Sequence, residues 1–81
     1  MSIESMEWLR ETIAEELCID PNEVTPNAHL INDLGADSLD IAEISCAIEE
    51  KYEIEFPEDE ELDDKTVQQL HDYTQRIHSG D

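Results

Sequence analysis

Ser38 stands in Leu34-Gly35-Ala36-Asp37-Ser38-Leu39-Asp40, where a glycine loop gives way to an amphipathic helix, in a chain of formal net charge -19. A helix beginning near Asp37 leaves backbone N–H groups without intrahelical partners beside the Ser38 hydroxyl, and their summed dipole favours an anion. A phosphodiester attached to that hydroxyl is such an anion. A nucleophilic serine needs other company: a base, an orienting acid and, in a nucleophile elbow, glycines two residues to either side. Ala36 and Asp40 occupy those two positions. The imidazoles on hand are His29, His71 and His78, and in so acidic a chain they are expected at the surface. Ser38 is therefore read as a serine that is decorated, not one that attacks. No catalytic residue is assigned.

A chain of 81 residues fits a single domain, 1–81, which buries only about 60–65 % of its unfolded surface. That leaves little room for a deep cleft orienting several catalytic groups, so an independent enzyme is not expected. Four Lys and Arg against 23 Asp and Glu repel phosphates and anionic lipid headgroups, which argues against nucleic acid and membrane partners. Basic protein surfaces are the natural complement. Cys18 and Cys46 are too few for a disulfide framework, and their apolar sequence neighbourhoods predict reduced, partly buried thiols. With no apolar run of membrane-span length and with acids among residues 1–11, the expected location is the cytoplasm.

Helical spacing organises most of the chain. Met6, Leu9, Ile13 and Leu17 predict a first helix over 3–17, with Trp8 on its opposite side, folded onto a loop or the C-terminal tail. Pro21, Pro26 and Gly35 make 18–36 a long loop pinned by Ile19, Val24, Leu30 and Ile31, and a loop of that length is usually functional. A second helix over 38–52 carries two stripes. Ile41, Ile44, Ile48 and Tyr52 suit the core, with Ser45 beside them and able to bond back to the Ile41 carbonyl; Leu39, Ala42 and Cys46 form an offset stripe. Tyr52 to Pro57 alternates like a strand but has no partner strand, so it reads as a linker that plugs Ile54 and Phe56 into the core. Asp59 to Asp64 predicts a short acidic helix anchored by Leu62, and Thr66 with Gln69 caps a last helix over 66–78 bearing Val67, Leu70, Tyr73 and Ile77. The expected fold is all-α: a four-helix bundle of three longer helices plus one short third helix, with a long loop between the first two.

The acidic run also invites a calcium reading, since Asp59, Glu61 and Asp63 begin like an EF-hand loop. Asp64 replaces its turn glycine and Leu70 its terminal glutamate, so no metal site is assigned, beyond loose divalent-ion association that relieves repulsion.

Leu34-Gly35-Ala36-Asp37-Ser38-Leu39, the following Glu43 and Ala47, Glu49-Glu50 and the Phe56-Pro57 step resemble the pattern of acyl carrier proteins, and the likeness extends over nearly the whole chain. The resemblance implies a carrier whose Ser38 bears 4'-phosphopantetheine through a phosphodiester, acyl groups riding as thioesters on its terminal thiol. It implies that Asp37 supports attachment by positioning a phosphopantetheinyl transferase, and that acyl-processing synthase enzymes act on the thioester. Fatty acid biosynthesis is the first expectation. Ser45 and Cys46 stand where the family has larger apolar side chains, and Asp64-Lys65 where Ile or Val is common, which leaves open a carrier for polyketide, aminoacyl or modified-lipid assembly. The alternative of another class is an acidic helical interaction module whose Ser38 is never modified. On either reading the partner face is expected beside the serine: Leu39, Ala42 and Cys46 at its apolar centre, rimmed by Asp37, Asp40, Glu43 and Glu50 and met by basic patches, on a monomer.

Overall fold

The computed structural model describes residues 3–57 and 61–79, with side chains from residue 5 onward. It contains three α-helices, α1 (Ile3–Leu17), α2 (Ser38–Tyr52) and α3 (Val67–His78), and one 3-10 turn at Pro21–Glu23. No strand occurs among the described residues; an isolated bridge pairs His29 with Thr66. The all-helical class agrees with the sequence. The short helix expected over Asp59–Asp64 does not: residues 58–60 lie outside the described residues, Glu61 and Leu62 are irregular, and Asp63 and Asp64 form a turn. Leu62 still reaches the core, because the Lys65 amide closes the turn by donating to its carbonyl at 3.2 Å. Crowded like charges with one apolar anchor oppose a helix there.

The core forms where the helical stripes meet. Leu9 and Ile13 of α1, Ile41, Ile44 and Ile48 of α2, and Val67 and Leu70 of α3 are all buried. Ile54 and Phe56 pack against this core from the linker after α2, and Phe56 stacks on Tyr73 with ring centres 5.6 Å apart. α2 ends as Glu53 takes a left-handed conformation (φ 54°) that aims its amide at the Glu49 carbonyl. α3 starts on the expected capping box, Thr66 accepting from the Gln69 amide and the Gln69 side chain accepting from the Thr66 amide.

The loop between α1 and α2 is held from both sides. The Arg10 guanidinium donates to the Val24 and Pro21 carbonyls, each at 2.8 Å, which fastens the 3-10 turn to α1. On the other side, Val67 donates to the Ala28 carbonyl at 3.0 Å and Gln68 to the Pro26 carbonyl at 2.9 Å. Val24 and Leu30 are fully buried, so the loop is part of the core and not a strap over it.

Four side chains lie elsewhere than the sequence suggests. Both cysteines are free but exposed: Cys18 caps α1 in a left-handed turn (φ 58°), and Cys46 lies on the outward stripe of α2. Trp8, expected on a loop or the tail, packs edge-on against Tyr52 at the end of α2, 5.8 Å between ring centres, with the Lys51 ammonium 5.4 Å over its ring. An amphipathic ring flanked by an aromatic edge and a cation needs no further cover. His71, expected at the surface, is only 2 % exposed, because it follows Leu70 on the face of α3 that packs against α1.

Candidate functional site

Gly35 and Asp37 set the position of Ser38. Gly35 adopts φ 76°, which turns the chain after the Leu30–Leu34 coil, and the next amide, that of Ala36, donates back to the Leu30 carbonyl at 3.0 Å. A side chain at Gly35 would meet open space; the backbone angle alone requires glycine there. Asp37 is then the N-cap of α2. Its carboxylate accepts from the Asp40 amide at 2.9 Å, and the Asp40 carboxylate accepts from the Asp37 amide at 3.1 Å. This reciprocal box makes Ser38 the first helical residue, with an exposed side chain. The amides of Ser38 and Leu39 remain beyond reach of any helical carbonyl.

This geometry fits a covalently attached phosphodiester: an exposed hydroxyl, two unused amides and the positive end of a 15-residue helix. Asp37 and Asp40 would oppose a second anion, but each accepts an amide proton in the box. Hydrolytic chemistry does not fit. His71 shares a hydrogen bond with Ser5, His78 lies against Tyr52, and no histidine among the described residues hydrogen-bonds Ser38.

Ser38 also opens onto a groove of about 340 Å³, lined by Ile41, Ala42, Ser45, Glu49, Phe56 and Leu62 among others. Sequence reasoning did not assign Phe56, Leu62 or Glu49 to a site, although the Phe56-Pro57 step was the available signal. Glu49 builds the groove's wall by accepting the Phe56 amide at 2.8 Å. Ser45 is half-buried here, and its hydroxyl donates to the Ala42 carbonyl at 2.9 Å, not to Ile41, so its oxygen lone pairs stay available to the groove.

The expected partner face comes together on one side of α2. Leu39 is 65 % exposed, the exposed large hydrophobic side chain among the described residues, and Ala42, Cys46, Glu43 and Glu50 are exposed around it, with Asp40 half-buried. One neighbour was missed. The Glu16 carboxyl of α1 is held above the ordinary glutamate range by a hydrogen bond shared with Glu43, then by desolvation and the charges of Glu43, Asp40 and Glu15. The acidic rim therefore runs from α2 onto α1. The EF-hand-like start is testable only in part, because Asp59 lies outside the described residues; among the described residues no three His, Cys, Asp or Glu side chains are placed to hold a metal ion. Among the described residues no helix is long and apolar enough to cross a membrane.

Residues 7–74 match the family model described as the phosphopantetheine attachment site. An acyl carrier protein of Helicobacter hepaticus is 41 % identical over 68 residues, covering 84 % of this chain and 90 % of that protein. Those of Bdellovibrio bacteriovorus and Campylobacter concisus are 41 % and 38 % identical, covering 87 % and 92 % of their lengths.

Proposed function

We propose, from the premise that this chain belongs to the phosphopantetheine-bearing acyl carrier proteins, that Ser38 is its attachment point and α2 its partner face. Proteins of this family are carriers and not enzymes, and the group that they carry covalently is 4'-phosphopantetheine. When attached, the group supplies a thiol that holds acyl chains as thioesters. The chain's own residues hold the attachment hydroxyl out to solvent and offer it two amides, while Asp37 fixes the start of the helix and presents its carboxylate toward a transferase. The observation that carries the reading is the exposed Ser38 hydroxyl at the first turn of α2, inside the matched stretch.

Tethering makes delivery intramolecular, so the acyl group meets each enzyme at a high effective concentration. Phosphopantetheinyl transferase and acyl-processing enzymes are the partners, engaged by basic patches that complement Asp37, Asp40, Glu43 and Glu50 around Leu39, Ala42 and Cys46. The protein works as one monomeric domain in the cytoplasm, and fatty acid biosynthesis is the pathway typical of its relatives. Ser45 favours a second reading, a carrier for polyketide, aminoacyl or modified-lipid assembly, because its hydroxyl makes the groove beside Ser38 less apolar. Incubation with coenzyme A and a transferase, followed by intact-mass measurement, tests the carrier assignment. One phosphopantetheine added per chain is expected. No addition under conditions that modify a control carrier would favour the unmodified interaction module.

A further inference from the structure

His71 is the buried titratable group that the carrier function does not use. Its ring is 2 % exposed, and Nε2 lies 2.7 Å from the Ser5 hydroxyl of α1. Nδ1 is buried without a hydrogen-bond partner. The Asp72 carboxylate is 3.8 Å from it, on a side chain half open to water, which is too long for a hydrogen bond. The tautomer that best suits these surroundings has its proton on Nδ1, toward the carboxylate, and Nε2 bare to accept the Ser5 O–H. A second proton reverses the Ser5 bond: Nε2 must then donate, and the hydroxyl proton must turn elsewhere. The imidazolium is left with one distant, half-solvated counter-charge.

We propose that Ser5 and His71 form an acid-sensitive latch between α1 and α3, firm while the ring is neutral and weakened when the ring takes up a proton. Burial lowers the affinity of the ring for that proton; the Asp72 carboxylate pulls the other way, and the charge of the amino terminus adds to the lowering. Among the described residues, Asp72 is the charged side chain that acts on the ring. The contribution of the neutral ring to stability is therefore complete above the ordinary histidine value of about 6.5 and is lost as pH falls toward and through the lower folded value. The 23 carboxylates work in the opposite sense, since acid relaxes their repulsion. The latch must accordingly be read as a difference between variants.

The test compares the full-length wild type with His71→Phe by chemical denaturation between pH 7.5 and 5, alongside the ring-proton NMR titration of His71 in the wild type. Relative to the variant, the wild type should lose up to about tenfold in its folding equilibrium constant for each pH unit below about 6.5. The His71 ring should titrate below the ordinary histidine value. Parallel pH profiles would overturn the latch. If His71→Phe does not fold, the wild-type titration decides: a midpoint at or above the ordinary value refutes the proposal, as does a lower midpoint unmoved in Ser5→Ala, and a lower midpoint that rises toward the ordinary value in Ser5→Ala supports it.

Discussion

The two apolar stripes of α2 meet opposite surroundings. Ile41, Ile44 and Ile48 are buried in the core, whereas Leu39, Ala42 and Cys46 are exposed. The inner stripe contributes stability by burial. The outer one leaves a leucine in solvent within a ring of carboxylates, an arrangement that suits a partner surface with an apolar centre and basic surroundings. On the proposed reading one helix thus separates folding from recognition, and the separation can be tested by moving either property without the other.

The largest effect belongs to the inner stripe. Ile44→Ala should cost about 2–5 kcal/mol of stability in chemical denaturation, because it empties a fully packed site. Leu39→Ala should change stability by no more than about 0.5 kcal/mol while weakening transferase binding with little salt dependence. A similar loss of stability from both would erase the distinction between the stripes.

Charge on the outer face comes next. Glu43→Lys should weaken transferase binding by about tenfold at low salt, chiefly through slower association, and the loss should shrink as salt rises. Glu11→Lys, on exposed α1, is the control; equal losses would mean that net charge and not this face governs recognition. The same substitution sharpens the comparison through pH. The Glu16 carboxyl, held above its ordinary value by Glu43, contributes stability that is complete below the unfolded value and lost as pH rises through the folded one. Glu43→Lys removes that partner, so this part of the acid-side gain should disappear from the variant's pH profile of stability.

The helix names, the capping residues and most of the core were legible in the sequence because periodicity and caps are local. The Thr66–Gln69 box needed only near neighbours and formed as read, and the helix start expected near Asp37 is fixed by an equally local box of Asp37 with Asp40. Apart from the short acidic helix, which like charges oppose locally, what failed depended on tertiary context. His71 looked like a surface base because nothing local shows that α1 covers it, and Cys18 and Cys46 looked half-buried because apolar sequence neighbours do not say which way a side chain points. The helix start at Ser38 was legible from its heptapeptide. Its groove was not, because Phe56 and Leu62 reach it from segments distant in sequence. Ser45 was placed on the correct helix, but its hydrogen bond closed on the nearer carbonyl of Ala42.

The smallest effect contrasts the two cysteines. Cys18 pays for its left-handed backbone with steric strain that glycine would not carry, so Cys18→Gly should raise stability by about 0.5–1 kcal/mol after allowing for glycine's greater unfolded freedom. Partner affinity should stay unchanged. Cys46→Ser should do the reverse, leaving denaturation untouched and weakening partner binding slightly.

Locating the prosthetic group tests the central claim most directly. After treatment with coenzyme A and transferase, fragment mass mapping of wild type and Ser38→Ala should place all of the phosphopantetheine on Ser38 and leave the variant unmodified. Phosphopantetheine on Ser2, Ser5, Ser45 or Ser79, or modification that survives in Ser38→Ala, would contradict the assignment and with it the role given to the first turn of α2.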